Sequence, residues 1–142
     1  MSGGASENDT LTSTRHRVVT LMLRSLGAVS CSAFFAVMMP HAWMDRIHQR
    51  IGLGELPDLP MVAYLSRSLS LFYAWLGILV IWTSFEVDRH WRWIRVFAFT
   101  GLGVAIVQTA IDFLAPVPTW WLIAESGFLF GYFGLLAWLT RS

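Results

Sequence analysis

The chain's 142 residues are 56% hydrophobic and only 13% charged, with a formal net charge of +1. A water-soluble domain of this length exposes more charge, so the balance indicates an integral membrane protein with a single folded domain. Nucleic acid is excluded as a partner by the small net charge and the lack of a clustered basic face. The single cysteine, Cys31, excludes an intramolecular disulfide and any two-thiol redox mechanism.

Residues 1–14, MSGGASENDTLTST, are small and polar and, with the RHR that follows, are expected to form a disordered tail over residues 1–17. The membrane domain then occupies residues 18–142. Its first apolar run covers residues 18–39 and ends at Pro40. Arg24 interrupts this run and hydrophobicity continues past Cys31, so it reads as an uncleaved first helix, not a signal peptide or lipobox.

The connection HAWMDRIHQRIGLGELPDLP comes next. Trp43, Met44, Ile47 and Ile51 recur at helical spacing, opposite a polar arc of His41, Asp45, Arg46, His48 and Gln49. That pattern predicts a short amphipathic helix lying in the membrane interface, followed by a stiff Gly/Pro loop. His41, Asp45 and His48 share one face, a weak candidate for a two-His, one-carboxylate metal site. A solvated polar face explains the same spacing, and no metal or other cofactor is expected.

Three further apolar runs cover residues 61–85, 93–114 and 120–139, joined by EVDRHWR and APVPT. Each run is long enough to cross a hydrocarbon core of about 30 Å at about 1.5 Å per residue. Lipid cannot satisfy a bare backbone, so all four runs read as helices. The expected fold is an all-α integral membrane bundle of four transmembrane helices, with the short interfacial helix between the first two. The short links make neighbouring helices antiparallel.

All ten basic residues are arginines. Arg15, Arg17, Arg24, Arg89, Arg92, Arg95 and Arg141 fall on the side of the termini, against Arg46, Arg50 and Arg67 on the other. Positive charge stays inside, so both termini are expected in the cytoplasm. Trp82, Trp91, Trp93 and Trp138 then mark the inner interface, and Trp43, Trp120 and Trp121 the outer one. Trp75 falls mid-membrane and is expected in the bundle core.

Four charges lie inside the apolar runs, each costing about 2.5–3.5 kcal/mol at mid-membrane on insertion scales. Arg24 leans toward the cytoplasmic end of its helix and can snorkel. Asp112 is short, leans away from the nearest water, and meets the unfavourable end of a helix macrodipole. It needs a cation or a proton. Antiparallel threading brings it to the layer of Arg67 and Glu125, so an intramembrane cluster of Arg67, Asp112 and Glu125 is expected. Gly101, Ala105, Gln108 and Thr109 form a small, polar stripe with Asp112, and Ser70, Ala74 and Gly77 form one with Arg67. Gly127, Gly131 and Gly134 are expected to form a close-packing ridge.

No span contains a histidine for bis-His haem ligation, and GxSxG, HExxH and P-loop patterns are absent. The plan resembles small four-helix proteins of the bacterial inner membrane, which implies that location. It departs from the four-helix drug exporters, whose essential acid lies in the first helix, because the first span here has Arg24 and no acid. The expected role is that of a non-enzymatic interaction or accessory component. Its partners would be the lipid bilayer and either another membrane protein or further copies of itself as a homo-oligomer. The alternative is a small-molecule or proton-coupled transporter using Asp112 and Glu125.

Overall fold

A computed structural model of the chain describes residues 3–115 and 117–141. Regular structure among the described residues is entirely helical: α1 (Gly3–Ser32), α2 (Phe34–Val37), α3 (His41–Arg50), α4 (Pro60–Thr83), α5 (Val87–Leu114) and α6 (Thr119–Thr140). Four stretches are long and apolar enough to cross a membrane: Thr12–Val37, Pro60–Thr83, Val87–Leu114 and Thr119–Thr140.

Local sequence explains the boundaries. Pro60 opens α4 at the position where its missing N–H costs nothing. Asp88 stands in the first turn of α5, on the favourable side of the macrodipole. Ala115, which precedes a proline in the sequence, takes an extended backbone and ends α5. At the end of α3, Gly52 adopts a φ of +79° while its N–H donates to Gln49 and that of Leu53 to His48, a left-handed helix stop that favours glycine.

The helices pair as two hairpins, α1 and α2 against α4, and α5 against α6. In the first, backbone meets backbone. A Cβ on Gly27 would stand 2.9 Å from the Gly77 carbonyl oxygen, and one on Gly77 would stand 2.7 Å from that of Gly27. In the second, the Phe133 ring lies directly on Gly101.

The hairpins join at the end that carries the termini and the α4–α5 turn. Their shared core consists of Val19, Leu23, Val87, Ile94, Ala98, Leu136, Ala137 and Leu139. Polar contacts reinforce this end: His16 Nδ1 lies 2.9 Å from an Asp88 carboxylate oxygen, and the Tyr132 hydroxyl donates to the Met22 carbonyl at 2.7 Å. At the opposite end, Gly52 after α3 lies beside the Trp120 indole.

Several expectations need correction. The segment expected to be a disordered tail is helical from Gly3, because extending a docked helix costs only propagation, not nucleation. EVDRHWR is not a loop: α5 begins at Val87, leaving only Ser84, Phe85 and Glu86 between α4 and α5. The first run breaks after Ser32 before continuing as α2. Trp75 is 53% exposed and faces away from the bundle, which already packs α4 through Ala74 and Gly77. A Cβ on Gly127, Gly131 or Gly134 would touch nothing, so their ridge packs no helix of this chain.

Candidate functional site

The structure does not bring Arg67, Asp112 and Glu125 together as a cluster. Arg67 is exposed on α4 and, among the described residues, makes no hydrogen bond or ion pair. The reason is pairing: α4 packs on α1 and α2 and contacts α5 only slightly, so a shared depth does not become a shared site.

Asp112 is buried, with only 5% of its surface exposed. Oδ1 accepts a 2.9 Å hydrogen bond from Gln108 Nε2, whereas Oδ2 is buried with no donor among the described residues. One turn away on α5, the Thr109 hydroxyl donates to the Ser126 hydroxyl of α6 at 2.9 Å and lies within bonding distance of the Ala105 carbonyl. Ala105 is fully buried on the same face. Gln108, Thr109, Asp112 and Ser126 thus make a polar seam inside the α5–α6 hairpin. A buried carboxylate oxygen without a donor is a high-cost arrangement that a donor group would relieve. Glu125 takes no part; it is half-buried and accepts from Trp121 Nε1, one turn earlier on α6.

His41, Asp45 and His48 do lie on α3, but the carboxylate is engaged elsewhere. Asp45 Oδ1 accepts from the Leu56 backbone N–H at 2.8 Å, and Oδ2 accepts from Gln49 Nε2 at 2.9 Å. These bonds, the Leu56 one foremost, hold the Asp45 carboxyl below the usual carboxylate range. His41 turns to the Pro57 carbonyl, 3.4 Å away. No group of three His, Cys, Asp or Glu side chains among the described residues is arranged to hold a metal ion.

Arg24, the other charge within a long apolar helix, donates from Nε to the Ser84 hydroxyl at 3.3 Å and lies over the Phe85 ring. Both partners stand at the end of α4, so the side chain reaches toward the terminal end, in the direction of snorkelling.

Two features escaped the sequence reading. Arg15 Nε donates to the Leu139 carbonyl and Arg95 Nε to the Thr140 carbonyl, so guanidinium groups from α1 and α5 converge on the C-terminal end of α6. The other is a pair of cavities along the α4–α5 turn. Arginine in the last turn is a known signal for binding helix carbonyls, but here the arginines come from other helices and no local pattern announces them.

The fold and the seam define an all-α protein with four helices long and apolar enough to cross a membrane. Neither a known protein family, nor a curated protein, nor a solved structure matches the chain.

Proposed function

We propose that the protein is a non-enzymatic component of a bacterial inner membrane, with both termini in the cytoplasm, that works by docking a membrane partner on the α4 face bearing Arg67. One observation carries this reading: a guanidinium within an apolar span stands exposed with no anion beside it among the described residues. Near its neighbours Tyr64 and Leu71, themselves exposed, a partner's carboxylate or hydroxyl acceptors would offset a desolvation cost of a few kcal/mol. Arg67 alone could instead snorkel to the nearer interface. A photo-crosslinking side chain at Leu71, one turn away, separates the two. Docking predicts a discrete adduct in native membranes that Arg67→Met loses and Arg67→Lys retains. An adduct pattern indifferent to residue 67 would show that Arg67 only snorkels, and the reading would fall.

A second reading rests on Asp112. Its donorless Oδ2, in a seam of Gln108, Thr109 and Ser126, supports a proton-coupled carrier that loads and releases a proton there, with Glu125 toward the α3 side of α6. Proton flux into proteoliposomes, abolished by Asp112→Asn, is its test.

A further inference from the structure

Two cavities follow one another along the α4–α5 turn. The first, about 330 Å³, is lined by Leu76, Leu79, Val80 and Thr83 of α4 and by Trp93, Ile94, Val96, Phe97 and Thr100 of α5, with Leu23 of α1. It is an apolar groove. The second, also about 330 Å³, is lined by Trp82, Phe85, Glu86, Arg89 and His90. It is polar and aromatic. Arg89 lies one turn before Trp93 on α5, so the polar cavity lies beyond the groove toward the terminal end.

The groove's dimensions select its occupant. From Leu76 to Thr83 the helix rises about 10 Å, so 330 Å³ corresponds to a mean cross-section of about 30 Å². An apolar groove of this length and volume accommodates a single hydrocarbon chain.

The polar cavity specifies what is attached to that chain. Its two charged groups are opposite in sign: Arg89 Nη1 and a Glu86 carboxylate oxygen are 3.0 Å apart, and both side chains are open to the outside, at 77% and 56% exposure. Its walls are aromatic, with the Trp82 and His90 rings 5.3 Å apart and His90 Nδ1 on the Glu86 carbonyl at 2.9 Å. Guanidinium suits a phosphate, carboxylate suits an ammonium, and an indole face adds attraction for a cation. Trp82 and Trp93 stand where tryptophans mark a headgroup layer.

We propose that this pair of cavities is a binding site for one zwitterionic phospholipid of the phosphatidylethanolamine kind. An acyl chain fills the Leu76–Thr100 groove, the phosphate rests on Arg89, and the ammonium lies between Glu86 and Trp82. The proposal rests on the reading that the four long helices cross a bilayer, and is independent of any docking at Arg67.

The test is reconstitution of the full chain into vesicles of equal parts phosphatidylethanolamine and phosphatidylglycerol, followed by gentle extraction and mass spectrometry of the intact protein with its retained lipid. Wild type should hold one phosphatidylethanolamine. Arg89→Gln should weaken retention by roughly tenfold or more, the worth of a charged hydrogen bond. Thr100→Trp should block the chain groove and lose the lipid with Arg89 intact. Glu86→Gln leaves the cavity with a net positive charge and should shift retention toward phosphatidylglycerol. Wild type that retains no lipid, or both lipids in bilayer proportion, or phosphatidylglycerol in preference, overturns the proposal whatever the variants do. A chain that never partitions into the vesicles refutes the bilayer reading instead.

Discussion

Arg95, from the third turn of α5, donates from Nε to the carbonyl oxygen of Thr140 at 2.6 Å, at the last residue of α6. The last carbonyls of a helix lack intrahelical donors and carry the negative end of its dipole. Arg15, from α1, reaches Leu139 in the same way, so one helix end is tied to both hairpins. Arg95→Ala should therefore lower stability by about 1.5–3 kcal/mol, whereas Arg95→Lys keeps the charge and should lose less. Thermal unfolding in detergent reads the order. Equal losses for the two variants would mean that the hydrogen bond to Thr140 contributes nothing beyond local charge.

The Gly27–Gly77 crossing makes a second prediction. A methyl group at Gly77 would stand 2.7 Å from the Cys31 nitrogen and the Gly27 oxygen, both backbone atoms that cannot swing aside. Gly77→Ala should cost about 1–3 kcal/mol, the usual range for forced overpacking, and should separate α1 from α4. Gly103→Ala is the control, since a Cβ there touches nothing. It should be neutral or slightly stabilising, because alanine is the better helix former. Matching losses at both positions would leave the close crossing unsupported as the cause.

These two relationships also show what the sequence could and could not disclose. The number and approximate position of the long apolar helices were legible because each needs its own long apolar run. The stripe of Gly101, Ala105 and Asp112 was legible because burial follows helical period, and all three are buried. Pairing was not legible. Arg67 and Asp112 were expected in one layer, but a shared layer does not say that α4 prefers α1, and that preference is written in small residues on two distant segments, Gly27 and Gly77. The glycines at 127, 131 and 134 have the same local appearance as the packed ones and touch nothing. Arg95 was counted as one more charge on the side of the termini, because no local rule pairs it with a carbonyl of another helix.

Orientation is open to direct measurement. With arginines concentrated at the terminal end, a reporter fused after Arg141 should be active in the cytoplasm, and one inserted within residues 52–58 should be active outside. A cytoplasmic signal from the 52–58 insertion would invert the protein, and the phospholipid site at the α4–α5 turn would then belong to the outer leaflet.

The loop after α3 should respond to acid through Asp45. Its carboxyl is held below the usual range by the Leu56 N–H and then the Gln49 amide. A depressed folded-state value means that the ionised form favours the folded loop. That contribution is fully present above the ordinary carboxylate range and is lost as pH falls through the depressed value. Exchange of the Leu56 amide with solvent deuterium, corrected for the intrinsic pH dependence of exchange, should stay slow at neutral pH and become less protected in acid. Asp45→Asn should show weakened protection already at neutral pH. Protection unchanged by either acid or Asn would remove Asp45 as the anchor of this loop.

The last prediction concerns Arg67 and Asp112 as a pair. Charges that share a layer and an apolar surrounding are natural candidates for a salt bridge, and breaking such a buried pair typically costs about 3–5 kcal/mol. Here Arg67 is exposed and makes no hydrogen bond or ion pair among the described residues, while Asp112 is buried against Gln108 in the other hairpin. Arg67→Met should accordingly change stability by no more than about 0.5 kcal/mol, as for surface substitutions. Asp112→Asn keeps an acceptor for Gln108 and places an amide where Oδ2 now lacks a donor, so its effect is confined to the α5–α6 seam. The double variant should equal the sum of the singles within about 0.3–0.5 kcal/mol, the additivity expected of sites without shared partners. Denaturation of the four proteins in one detergent gives the cycle, and repeating it in lipid nanodiscs asks whether a bilayer changes the answer. A coupling of roughly 0.5–3 kcal/mol would mean that the two hairpins close on each other at the α3 end. Arg67 would then have an anion of its own and would not need a partner's.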